Sequence, residues 1–170
     1  NRWVVEKRAN ELKVGDKLIK SDFPVIEGSE VLQHPYANGF YSGDGCLTKQ
    51  GKRIYLYGGK RKLKDHLGNI FHNWFVQDNQ DREYGHSYLL KDKFFVPSSD
   101  YDIESRIAWF EGLCDSDGTV TRNGQTQSIQ VGSIEQSFLQ EVQMMLQTLG
   151  VSSKVTASTE AGERLMPLND

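Results

Sequence analysis

Two stretches of this sequence, 73 positions apart (117 minus 44), end alike, and that repeat constrains the fold more than any other feature. Ala37-Asn38-Gly39-Phe40-Tyr41-Ser42-Gly43-Asp44-Gly45 lies over Phe110-Glu111-Gly112-Leu113-Cys114-Asp115-Ser116-Asp117-Gly118. Gly39 matches Gly112, Asp44 matches Asp117, and Gly45 matches Gly118; Gly43 lies over Ser116, both small. On a helix, Gly39 and Gly43 share one face a turn apart, as do Gly112 and Ser116. A glycine inside a helix costs about 1 kcal/mol against alanine. Close helix-on-helix packing must offset that cost, so these four residues are the expected helix interface.

The segments after the two stretches repeat as well. Cys46 to Tyr57 splits at Gln50-Gly51 into two short runs, which predicts a hairpin. Thr119 to Val131 splits at Asn123-Gly124, a strong tight-turn signal between strands. A helical stretch is expected next in both copies, Lys60 to Asn69 and Ile134 to Leu149. The latter aligns Ile134, Phe138, Val142, Met145, Leu146 and Leu149 along one face, and Gly150 comes next, as a C′ glycine would. Each unit reads as helix, hairpin, helix and further strand, an α+β arrangement.

One Asp-Gly is an ordinary helix stop. Two in the same register, each feeding a hairpin, suggest chemistry. If the helices run side by side in parallel, Asp44 and Asp117 meet at their C-terminal ends. Two close carboxylates repel unless a cation lies between them. Hard oxygen ligands suit Mg²⁺ or a similar divalent ion such as Mn²⁺, and metal-bound water can attack a phosphodiester.

At these residues the chain resembles the LAGLIDADG homing endonucleases. Phe110 to Gly118 is close to the signature itself, and Ala37 to Gly45 is a looser match. The resemblance covers about Val31 to Val155. It implies two αββαββα repeats about a pseudo-two-fold axis, with sheets forming a saddle in the DNA major groove. It implies a site-specific, metal-dependent double-strand break in DNA by a monomer. Asp44 and Asp117 would hold the metal, and the carbonyls of Gly43 and Ser116 are lesser ligand candidates. Ser42 departs from the acidic sixth letter, which is not the ligand position. Lys91-Asp92-Lys93-Phe94-Phe95-Val96-Pro97 resembles the lysine-before-proline segment that intein endonucleases often place ahead of the second signature helix. Lys93 would be the active-site lysine that orders water, with Lys91 in reserve.

DNA contacts are expected from the hairpin faces. By period-2 alternation, Ile54 and Leu56 point inward, leaving Arg53, Tyr55 and Tyr57 outward. In the second hairpin Val120, Ile129 and Val131 point inward. Thr119, Thr121, Ser128 and Gln130 are outward, and Lys49 and Arg122 complete the candidate DNA-binding set. Arginine and glutamine read base edges, whereas threonine and lysine more often touch phosphate.

Composition bounds the rest. The chain has 170 residues, enough for one domain, and two cysteines, Cys46 and Cys114, expected as reduced core thiols. The four histidines do not supply zinc-ligand spacing. No segment approaches the roughly 20 apolar residues of a membrane span, and no signal-peptide h-region comes after Asn1, so an intracellular protein is expected. A net charge of −3 argues against nucleic-acid binding on average. From Lys49 to Lys64, however, there are seven Lys or Arg and no acid.

Glu11 to Ile19 reads as an extended piece, a Gly-Asp turn and a strand, and Glu11 to Leu18 resembles a strand segment of the Hint splicing fold. The expected division is a splicing-domain remnant and linker over 1–28 and an endonuclease domain over 29–170. Repeat one covers about 31–100 and repeat two about 103–170, the latter short of a full repeat. The chain begins with Asn1 rather than a splicing nucleophile and ends Pro167-Leu168-Asn169-Asp170 rather than His-Asn. It therefore reads as part of an intein inserted in a host protein. Two other readings stay open: a non-catalytic binder on the same fold (a maturase or a regulator), and an unrelated α/β protein whose Asp-Gly repeats are structural.

Overall fold

A computed structural model of the chain describes residues 4–19 and 22–157. The expectations for Asn1, for Pro167 to Asp170 and for the last part of repeat two lie outside the described residues.

Repeat one opens with helix α1 (Pro35–Asp44), with Pro35 at its first turn. Strands β1 (Gly45–Thr48) and β2 (Gly51–Tyr57) come next, then β3 (His72–Gln77) and β4 (Arg82–Ser87). These make one antiparallel sheet in the order β1-β2-β4-β3. Helix α1 lies on it, and Phe40, Tyr41, Ile54, Leu56, Leu67, Ile70 and Leu90 form the core between them. Between β2 and β3 the chain makes a 3-10 run, Gly58–Leu67, instead of the α-helical stretch expected from Lys60. Only Leu67 in it is buried, beside partly buried Leu63. Two apolar anchors among Lys60, Arg61, Lys62, Lys64 and Asp65 leave no wide stripe to hold an α-helix on the sheet.

Repeat two opens with helix α2 (Ile103–Asp117), capped by Asp102, whose side chain accepts from the Ser105 amide at 2.7 Å. Strands β5 (Gly118–Asn123) and β6 (Thr126–Val131) form a separate two-stranded sheet. Helix α3 (Gln136–Gln147) buries Phe138, Val142, Met145 and Leu146 against Trp109, Leu113 and Leu32. It ends in a Schellman arrangement: the Val151 amide reaches the Leu146 carbonyl, the Gly150 amide reaches the Gln147 carbonyl, and Gly150 has φ +75°. Ile134, expected on the buried face, instead precedes the helix and is fully exposed.

Two further expectations need correction. Val120 and Ile129, expected inward, are 61% and 56% exposed. They do share a face with Val131, which packs on the second core. Among the described residues no further strand covers that face, because 151–157 forms none. The Glu11 to Ile19 segment makes its turn, with Gly15 at φ +99°, but no strand. Every residue of 4–19 is exposed, and among the described residues no strand supplies it a pairing edge. By contrast, the expected linker is docked: the Ile26 amide donates to the Thr148 carbonyl at 2.9 Å. Arg106, fully buried, donates to the Ile26 carbonyl, and its Nη1 lies 2.6 Å from Thr148 Oγ1. Both cysteines are free and half-buried. Among the described residues no helix is long and apolar enough to cross a membrane.

Candidate functional site

The two halves meet along α1 and α2, which run in the same direction. A Cβ added to Gly39 would lie 1.8 Å from the Trp109 carbonyl oxygen, and one added to Gly112 would lie 2.0 Å from the Tyr36 carbonyl oxygen. Trp109 and Tyr36 are themselves equivalent positions of the repeat, so each helix offers a glycine to the other's backbone. One turn on, a Cβ at Gly43 would lie 2.0 Å from Ser116 Oγ. All four expected interface residues are therefore in the interface, and the mid-helix glycines are explained by backbone contact. The Tyr36 hydroxyl adds a crosslink to Asp115 at 2.6 Å.

Both helices end in the same geometry. Gly45 (φ −82°, ψ 157°) and Gly118 (φ −82°, ψ 147°) turn the chain into a strand, each amide bonding four residues back. Asp44 and Asp117, one residue earlier, are thereby delivered to the same end of the helix pair. An added Gly43 Cβ would lie 3.0 Å from Asp117 Oδ2, so that carboxylate rests against the residue preceding Asp44. Partial desolvation, then the Asp44 charge, push the Asp117 carboxyl above its ordinary range.

Two lysines approach this end. Lys93 donates to the Gly43 carbonyl and, at 3.2 Å, to the Tyr41 carbonyl. Burial lowers its pKa, while the charges of Asp117 and Asp44 act in the opposite direction. Lys60, at the start of the 3-10 run, donates at 2.5 Å to Asp44 Oδ2 and at 2.5 Å to the Ser116 carbonyl. Lys91 lies elsewhere, its ammonium over the Phe95 ring at 5.6 Å and its amide bound to Asn38. Sequence reasoning missed Lys60. The basic run was visible, but nothing in it distinguishes which cation turns toward the carboxylates.

The carbonyls of Gly43 and Ser116 and the carboxylates of Asp44 and Asp117 form a hard oxygen set. Two of these oxygens, Asp44 Oδ2 and the Ser116 carbonyl, together hold the Lys60 ammonium. The donor chemistry thus fits Mg²⁺ or Mn²⁺.

On the first sheet, Arg53, Tyr55 and Tyr57 share a face with Arg82, Tyr84 and His86 of β4 and with Phe75 of β3. Arg53 packs over the Tyr84 ring at 4.6 Å and donates to Tyr55 Oη and His86 Nε2, each at 2.7 Å. Arg82 lies over the Tyr55 ring at 4.8 Å. The alternation Arg82-x-Tyr84-x-His86 mirrors Arg53-x-Tyr55-x-Tyr57 and is the signal that could have identified the second row. On the second sheet, Thr119, Thr121, Ser128 and Gln130 share one face, with Thr121 Oγ1 and Ser128 Oγ 2.8 Å apart. Lys49 is exposed in the first hairpin's turn, whereas Arg122 is exposed on the Val120 side of β5.

Residues 104–168 match the model of the LAGLIDADG-like domain. The chain is 38% identical over 165 residues to the ribonucleoside-diphosphate reductase large subunit of Invertebrate iridescent virus 6, an alignment covering 94% of this chain and 17% of that protein. It is 25% identical over 198 residues to the ribonucleoside-diphosphate reductase NrdEB subunit alpha of Bacillus subtilis (strain 168) and to its counterpart from Bacillus phage SPbeta, covering 93% of this chain and 18% of each. The chain spans less than a fifth of the length of these curated relatives. No solved structure matches. Residues 104–168, which hold the second glycine helix and the second Asp-Gly end, are thus similar to the LAGLIDADG-like domain, and the α+β fold with its paired glycine helices is consistent with that likeness.

Proposed function

We infer that this chain is an intein-associated homing endonuclease that makes a site-specific double-strand break in DNA by metal-dependent hydrolysis. The observation that carries this reading is the convergence of Asp44 and Asp117 at the ends of two interlocked helices, with Lys60 and Lys93 beside them. Asp44, Asp117 and the carbonyls of Gly43 and Ser116 would hold Mg²⁺ or Mn²⁺. When bound, a divalent ion supplies an activated water and charge neutralisation at the phosphate. Hydrolysis adds a water oxygen to phosphorus, breaks one P–O ester bond and protonates the leaving deoxyribose oxygen. Lys93, with its proton loosened by burial, is positioned to order that water and to hold a proton at the reacting oxygens. Asp117, whose pKa is raised by desolvation and by the Asp44 charge, gains most from a neighbouring positive charge.

The sheet faces would bind duplex DNA. Arg53 and Arg82, fixed by tyrosine rings, present oriented guanidinium groups of the kind that read guanine edges in the major groove. Thr119, Thr121, Ser128 and Gln130 would contact the other half-site, with Lys49 and Arg122 touching phosphate. The chain would act as a monomer, inside the cell, with internal pseudo-two-fold symmetry. The reductase relatives support the intein context, since the likeness covers nearly all of this chain and a small part of each of theirs. We assign 1–28 to the splicing remnant and linker, and 29–170 to the nuclease.

The test is incubation with Mg²⁺ and a plasmid carrying the uninterrupted reductase gene. The chain should linearise it at one site, and Asp44→Asn and Asp117→Asn should bind the same DNA without cutting. The reading is wrong if both variants cut as the parent does. One observation favours a second reading, a binder without catalysis: Asp44 is already neutralised by Lys60. Specific binding with no cleavage by the parent chain would establish it.

A further inference from the structure

The two lysines at the helix ends treat equivalent carbonyls alike and the two aspartates differently. Lys93 takes the carbonyl of Gly43, and Lys60 takes the carbonyl of Ser116, its counterpart in the repeat. Lys60 also binds Asp44 Oδ2 at 2.5 Å, whereas Asp117 accepts no hydrogen bond among the described residues. The two halves of the centre are therefore unequal. The Asp44 half already contains a positive charge on a tether, held by one carboxylate oxygen and one main-chain carbonyl. Those are the ligand types a hard divalent ion takes. The Lys60 side chain is 35% exposed on a short 3-10 run, and a flexible four-carbon stem lets its ammonium swing outward.

We propose that Lys60 is a built-in cation that fills the Asp44 half of the centre when DNA is absent. The free chain then takes up one divalent ion, at Asp117, and accepts a second only when Lys60 withdraws. This inference rests on reading Asp44 and Asp117 as a metal pair, not on cleavage. Withdrawal of Lys60 and entry of the second ion are coupled, and such coupling is reciprocal. Holding Lys60 in place weakens the second ion; removing its charge strengthens it.

The experiment is titration of the purified chain with Mn²⁺, without DNA, followed by electron paramagnetic resonance of the free ion and by calorimetry. The parent chain should bind one Mn²⁺, and Asp117→Asn should abolish it. Lys60→Met should bind two, and its tighter site should exceed the parent's affinity by at least about fivefold, the lower end of ordinary site-to-site coupling. Lys60→Arg, which keeps the charge, should behave as the parent does. Unchanged or weaker Mn²⁺ binding by Lys60→Met would overturn the proposal, as would no binding by any form. If Lys60→Met is unfolded in chelator, Mn²⁺ should restore its circular dichroism, and failure to do so would also overturn it. A chain that binds Mn²⁺ in this pattern but cuts no DNA would defeat the endonuclease reading and leave this one intact. Cleavage together with parent-like Mn²⁺ binding by Lys60→Met would do the reverse.

Discussion

Replacing Gly39 by alanine should force the two central helices apart. The new methyl would lie 1.8 Å from the Trp109 carbonyl oxygen, and an ordinary contact needs at least 3.4 Å. The obstacle is backbone, so no rotamer change relieves it. Opening the gap by roughly the difference would strip contacts from Phe40, Trp109 and Leu113, all fully buried. Overpacking of this kind costs about 1–3 kcal/mol, and a backbone clash belongs at the upper end or beyond. Alanine returns about 1 kcal/mol of helix propensity. The net loss is about 2–3 kcal/mol, and for a chain of this size it lowers Tm by about 4–12 °C. Gly112→Ala, at 2.0 Å from the Tyr36 carbonyl, should cost as much. The double variant should cost less than the sum, because one separation relieves both clashes. Thermal and urea denaturation by circular dichroism would measure this, with Gly132→Ala, which meets nothing within 4 Å, as the control. A Gly39→Ala protein as stable as the parent would refute the close-packed helix pair. So would strict additivity of the two substitutions.

The same contacts predict three further outcomes. In chelator at neutral pH, Asp117→Asn should raise Tm and Asp44→Asn should lower it, since only Asp44 has an ammonium partner. The folded-state pKa of Asp117 is raised, so its ionisation penalises folding above the ordinary value of 3.8; the gain from Asp117→Asn should therefore vanish in a pH series taken below that value. Arg106→Met removes a buried group bonded to the main-chain carbonyls of Asp102, Thr148 and Ile26 and should cost about 2–4 kcal/mol. It should also free the preceding segment, read as faster limited proteolysis ahead of Ser29. Arg53→Ala should weaken specific DNA binding by about 1–3 kcal/mol and relax selectivity at one base pair, measured by binding to a panel of single-position site variants.

The helix pair, both hairpins and the two aspartates are legible in the sequence because each depends on local rules. Glycine spacing shows that a helix face must be bare, Asp-Gly stops a helix, and Asn123-Gly124 makes a tight turn. Period-2 alternation places Ile54 and Leu56 correctly, since α1 covers that side of the sheet. The same rule fails at Val120 and Ile129. Alternation assigns a face but does not say whether another layer lies on it. The 3-10 run escapes because two leucines among five charged residues look like a weak helix. Lys60 escapes for a different reason: its partners, Asp44 and Ser116, lie 16 and 56 positions away. A lysine's reach is not encoded in its neighbours. Lys93 can be found through its family context before Pro97, and its contacts with Gly43 and Tyr41 bring it to the same helix ends.

A crystal structure of the chain with its uninterrupted duplex and Mn²⁺, using the anomalous signal to locate the metal, would decide whether the two aspartates form a metal centre on DNA. The expected result is anomalous density ligated by both Asp44 and Asp117, against a phosphate of the duplex, with the Lys60 ammonium moved off the Ser116 carbonyl. Metal density away from these carboxylates, or duplex bound with Lys60 still on Asp44 and no metal at Asp117, would contradict it.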